Sequence, residues 1–154
     1  MQRASRRGCK TSSTCLVADH WDIVAEMVTG DRHQLSRVER MEAILERDGP
    51  QCVWCGRLFD SRRNPPTTDH LVPRIKGGPS WIENEIAACR RCNGERGHQS
   101  PAGFFVDCSG LGRTPNREVL IRTLASLQAA IRERGGQRRC RPYVASQLRR
   151  LSRM

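Results

Sequence analysis

Two Cys-x-x-Cys pairs constrain this chain more than any other feature: Cys52 and Cys55, then Cys89 and Cys92, with 33 residues (56–88) between the pairs. Each pair can present two thiolates from one tight turn. Together they complete the tetrahedron that a structural zinc ion prefers, and soft thiolates select zinc over magnesium. Such an ion has no open position, so it holds the fold rather than doing chemistry. It would pin the segment before residue 67 to the start of a helix near residue 90. A thiol redox protein is the competing reading of Cys-x-x-Cys, but the βαβ context of that motif is missing. The other cysteines, Cys9, Cys15, Cys108 and Cys140, lack paired spacing and read as incidental thiols.

The 154 residues suit one domain with extensions, and 37% hydrophobic content makes a modest core that a metal would supplement. The formal charge of +11 points to a polyanionic partner, because phosphate contacts release counterions. Lys10 and Lys76 are the only lysines; the remaining cations are arginines, which pair bidentately with phosphate. Residues 1–15 contain no apolar signal core, and no stretch is apolar enough to span a membrane.

Between the cysteine pairs lie Asp69-His70-Leu71-Val72-Pro73, Gly77-Gly78 and Asn84, and Asn93 follows Cys92. Over roughly residues 46–100 this run resembles the HNH endonucleases, in their four-cysteine branch. The resemblance implies an α+β fold with a ββα-metal core, a four-cysteine zinc site and flanking helices. It also implies a bacterial or phage-encoded cytoplasmic protein, and DNA, double-stranded above all, as partner. Oligomeric state is not legible.

The implied chemistry is metal-dependent hydrolysis of phosphodiester bonds. His70 is the candidate general base, since a neutral imidazole suits proton removal near pH 7. Asp69 and Asn93 are the candidate oxygen ligands of a catalytic divalent cation, magnesium or a similar ion. Asn84 corresponds to the middle residue of the family motif, which orients the histidine and its loop. Arg74, Lys76, Arg90, Arg91 and Arg96 are candidate nucleic-acid contacts; Arg96 stands where many relatives carry lysine. The alternative function is a non-catalytic zinc-stapled module that binds DNA or RNA, which would not need Asp69, His70 and Asn93 together.

Along the chain, residues 1–15 read as a basic disordered arm. Residues 16–48 read as a helical segment, with one helix over Leu16–Val28. A second follows, capped by Asp31, with Leu35, Val38, Met41 and Leu45 on one side. The core occupies 49–100: a strand over Thr67–Val72, a flexible connection through Gly77-Gly78, a return strand over Trp81–Ala88 and a helix from Cys89 to Gln99. Residues 101–154 hold a helix starting at Thr114-Pro115, with Leu120, Leu124, Leu127 and Ile131 on one face, and then an arginine-rich tail.

Overall fold

The computed structural model describes residues 35–154. The expected basic arm, the helix over 16–28, Asp31, Cys9 and Cys15 lie outside the described residues. Helix α1, Arg37–Asp48, starts behind Ser36, whose side chain accepts from the Glu39 N–H while Glu39 reaches back to the Ser36 N–H. This reciprocal cap satisfies two otherwise orphaned donors. The expected apolar stripe is only partly the docking face: Val38 is 66% exposed, Met41 and Leu45 are half-buried, and Ile44 is the fully buried residue. One turn either side of Ile44, Arg40 and Arg47 reach into the sheet. Arg47 donates to the carbonyls of Ile82 (3.1 Å) and Glu85 (2.6 Å). The helix docks by charge and backbone hydrogen bonds as much as by apolar area.

Strand β1, Pro66–His70, pairs antiparallel with β2, Glu85–Cys89, in a register that sets Asp69 opposite Ile86 and His70 opposite Glu85. Every residue of β2 is buried. Helix α2, Arg90–Arg96, follows directly, giving the strand, loop, strand, helix order expected from the sequence. The 71–84 connection is not slack. Arg74–Lys76 forms a 3-10 turn, the Gly78 N–H donates to the Pro73 carbonyl (3.1 Å), and a second 3-10 turn, Ile82–Asn84, leads into β2.

Three helices complete the fold: α3 (Pro101–Gly110), α4 (Arg117–Arg134) and α5 (Cys140–Ser152). The expected face of α4 is buried at Leu120, Leu124, Leu127 and Ile131, but the cap is Asn116, which accepts from the Val119 N–H at 3.1 Å. The expected arginine-rich tail is mostly α5. Cys140, Val144, Gln147 and Leu151 recur at helical spacing and are buried, so the arginines between them ride on an amphipathic helix. Gln147 accepts from the Ala102 N–H, and Arg117 donates to the Leu151 carbonyl, tying α5 to α3 and α4. Cys108 and Cys140 are fully buried core residues. Among the described residues no helix is long and apolar enough to cross a membrane.

Gly78 is the tightest point of the connection. A β-carbon there would lie 1.8 Å from the Val72 carbonyl oxygen and 3.0 Å from Asn84 Nδ2, so only glycine fits. Gly78→Ala is expected to destabilise the fold by about 3 kcal/mol, at the severe end of overpacking. Gly94→Ala, in open space within α2, should be stabilising by up to about 1 kcal/mol. Denaturant midpoints of the two variants check this pair of outcomes.

Candidate active site and metal centre

The Sγ atoms of Cys52, Cys55, Cys89 and Cys92 all lie within 4.8 Å of one another, with Cys55 and Cys89 at 4.0 Å. A tetrahedral zinc with bonds of about 2.3 Å needs sulfur edges of about 3.8 Å, so the cage is close to the required size. Backbone amides already point at the sulfurs: the Cys89 N–H at Cys52 (3.2 Å) and the Cys92 N–H at Cys89 (3.4 Å). Burial pushes the Cys52 thiol up to about 12 and raises Cys92 as well. Four thiols this close, three of them buried, could ionise together only around a cation, and the donor set fits one tetrahedral ion.

Arg113, from the segment before α4, lies beside this cage. Its Nη1 is 3.6 Å from Cys92 Sγ and 2.6 Å from Glu95 Oε2. Arg113, with Arg91 beyond it, holds the Glu95 carboxyl down at about 2. With a divalent ion held by four thiolates, this guanidinium would offset the excess negative charge. The spacing of the cysteines gave no hint of it.

Within the first pair, Trp54 turns into the core. Its Nε1 donates to Asp69 Oδ2 (2.8 Å), its ring meets Phe104 edge-on at 5.0 Å, and the Arg96 guanidinium stacks 5.3 Å from its centroid. Arg96 also forms an ion pair with Asp69 and donates to the carbonyls of His70 (2.9 Å) and Leu71 (2.7 Å). The expectation of Arg96 as a phosphate contact is thereby corrected: its side chain is 0% exposed, and its charge is spent on the carboxylate and two carbonyls at the end of β1. Asp69 is buried too. Burial pushes its carboxyl up, against Arg96 and Trp54, which favour the ionised form.

Strand alternation puts Thr68 and His70 on the face opposite Thr67 and Asp69. A groove of about 500 Å³ includes Thr67, Thr68, His70, Arg74, Glu85 and Asn93 among its lining residues. His70 Nε2 is buried, 3.3 Å from Glu85 Oε1, without the alignment of a formed hydrogen bond. Glu85 is held by both Nε and Nη2 of Arg40. Burial lowers the His70 pKa from its ordinary value, and Glu85 works in the other direction. The imidazole is thus neutral at pH 7.

Asn93 donates from Nδ2 to Thr67 Oγ1 and to the Thr68 carbonyl, each at 3.1 Å. The Thr67 hydroxyl donates its own proton to Ala88, which fixes that orientation of the amide and leaves Asn93 Oδ1 as an available acceptor. Asn84 is fully buried and clasps the connection: Oδ1 accepts from the Val72 N–H, and Nδ2 donates to the carbonyls of Val72 and Pro79. Its contacts are to the loop behind His70, not to the ring. Arg74 lines the groove and Lys76 is exposed beside it, whereas Arg91 lines the cysteine cavity and pairs with Glu95. Arg90 is exposed at the start of α2. Sequence reasoning missed Glu85 and Arg40; a carboxylate inside an otherwise apolar buried strand was the available signal for Glu85.

Residues 52–99 match the family model described as HNH endonuclease. This stretch is an HNH domain. A curated relative is the CRISPR-associated endonuclease Cas9 of Corynebacterium diphtheriae, 29% identical over 80 residues. That match covers 51% of this chain and 7% of the relative's length. The HNH domain here comprises the cysteine cage, both strands, the clasped connection and α2; α1, α3, α4 and α5 lie outside the match.

Two substitutions separate the structural roles. Cys52→Ser is expected to lose the bound metal and melt the domain, read by metal analysis and circular dichroism. Asp69→Ala strands a buried guanidinium and is expected to cost about 3–5 kcal/mol of stability. A stability loss under 1 kcal/mol in denaturant titration would mean that Arg96 does not depend on Asp69.

Proposed function

We propose that this chain is a metal-dependent endonuclease that hydrolyses phosphodiester bonds in DNA, with double-stranded DNA as its substrate. The observation that carries the reading is the groove. A neutral His70, backed by Glu85, shares it with the amide of Asn93 and the guanidiniums of Arg40 and Arg74, inside a domain matched to a nuclease family.

In this reading the four-cysteine site holds zinc and takes no part in the reaction. Nε2 of His70, facing Glu85, keeps its proton, so Nδ1 is the nitrogen that serves as base. Glu85 and Arg40 orient the ring, and Asn84 and Arg96 fix the backbone on either side of it. Nδ1 takes a proton from water as the water oxygen bonds to phosphorus; the bond from phosphorus to the 3′ oxygen breaks. Asn93 through Oδ1 and Asp69 through its carboxylate are the residues that would hold a magnesium-type cation. When bound, such an ion stabilises charge on the phosphate and the leaving oxygen. Asp69 keeps Arg96 and Trp54 as partners, because each carboxylate oxygen has more than one acceptor site.

The test is cleavage of supercoiled plasmid in magnesium. His70→Ala is expected to slow cleavage by about 10²–10⁴-fold, the usual contribution of a general base, while keeping fold and DNA affinity. Glu85→Gln should lower the rate by a smaller factor. Wild-type cleavage by His70→Ala would overturn the mechanism. DNA binding without any cleavage by the wild-type protein would assign the chain to the non-catalytic zinc module.

A further inference from the structure

We propose that the turn between α4 and α5 and the turn after β1 form one continuous ridge at the mouth of the His70 groove, which grips the phosphates of double-stranded DNA through Arg74, Lys76, Arg138 and Arg139. The inference rests on the nuclease reading and extends it to a segment outside the HNH match.

Two turns some sixty residues apart in sequence meet here. A β-carbon on Gly77 would lie 3.2 Å from Arg139 Cβ and 3.8 Å from the Cys140 nitrogen, so the two backbones are in contact. Both turns hang from one anchor. At the end of α4, Arg134 pairs with Glu83 and stacks 4.6 Å from the centroid of Trp81. That fastens α4 to the 3-10 turn whose Asn84 clasps the connection after β1. Gly135, Gly136 and Gln137 then reverse the chain with three successive positive φ angles, +76°, +69° and +53°. The reversal delivers Arg138 and Arg139 to Gly77, and both are exposed.

What distinguishes this ridge is the meeting of two cationic turns beside the groove. Several neighbouring arginines are engaged by carboxylates: Arg40 by Glu85, Arg47 and Arg122 by Asp48, Arg134 by Glu83. Among the described residues, Arg74, Lys76, Arg138 and Arg139 have no carboxylate within ion-pair distance. Arg74 bonds only the Ser80 hydroxyl, at 2.9 Å, and belongs to both the ridge and the groove. A strand whose scissile phosphate sits at His70 must continue past Arg74, where the next unpaired cations stand. Ile75, 70% exposed between two of them, offers apolar surface to the sugars. Rigid placement limits the entropy lost when these side chains meet a phosphate backbone.

The experiment is binding of a short labelled duplex across a salt series, with the metal chelated so that no cleavage occurs. The variants are Arg138→Ala/Arg139→Ala on the ridge and Arg149→Ala/Arg150→Ala at the far end of α5; the latter pair is equally exposed and removes the same charge. If each ridge arginine holds one phosphate, the slope of log affinity against log salt should shrink by about 1.8, at about 0.9 per phosphate. Arg138→Lys/Arg139→Lys should restore most of it, showing that the turn still folds. The far pair should leave the slope unchanged. Equal effects of the two alanine pairs, or none from the ridge pair, would overturn the ridge. A wild-type protein that cuts plasmid while the ridge pair keeps its slope leaves the nuclease reading standing; a wild-type protein that neither binds nor cuts removes both.

Discussion

Convergence of four thiols into one cage that fits a single ion is the constraint on which the remaining architecture depends. It draws the 52–55 turn onto the junction of β2 and α2. Once there, the Val53 N–H donates to the Ala87 carbonyl, and the Val53 carbonyl accepts from the Asn116 N–H, the cap of α4. The next residue, Trp54, becomes the centre of the core and meets Asp69, Arg96 and Phe104. One cross-link therefore positions strand, helix cap and aromatic core together. A domain with a modest apolar fraction gains much of its order this way, because metal affinity becomes folding free energy.

Charge does two kinds of work in this molecule. Buried charge is structural: Asp69 and Arg96 neutralise each other, and the spare guanidinium donors hold the carbonyls at the end of β1. Arg40 and Glu85 do the same on the other face, beside His70. Unpaired charge lies on the surface, and part of it stands beside the groove, where the proposed substrate would supply the missing anions. Breaking a buried pair is costly, whereas an exposed cation contributes little to stability and serves binding instead. The two sets of arginines are indistinguishable by residue type and separable only by their partners.

The cysteine spacing and the run from Asp69 to Asn93 made the cage, the two strands and α2 legible in the sequence, with boundaries shifted by a few residues. The burial of Arg96 was not legible. Its partner, Asp69, is 27 positions away, and both look like solvent-facing charges until the core closes over them. Helix α5 was obscured for a related reason: its arginines dominate the composition, although Cys140, Val144 and Leu151 keep a helical period. The docking face of α1 was only partly read, because Arg40 and Arg47 reach into the sheet beside Ile44 while Val38 stays exposed. Hydrophobic pattern identifies a docking face poorly when hydrogen bonds and ion pairs make the contact.

The account assigns fold and chemistry to two different metals, and metal add-back tests that division most directly. Purified protein would be treated with a weak chelator, its zinc content measured, and plasmid cleavage followed before and after magnesium is returned. One zinc per chain should survive the treatment, cleavage should be absent without magnesium, and addition of magnesium should restore it at unchanged zinc content. Cleavage by the zinc-loaded protein in the absence of magnesium, or a folded, active protein containing no zinc, would contradict it.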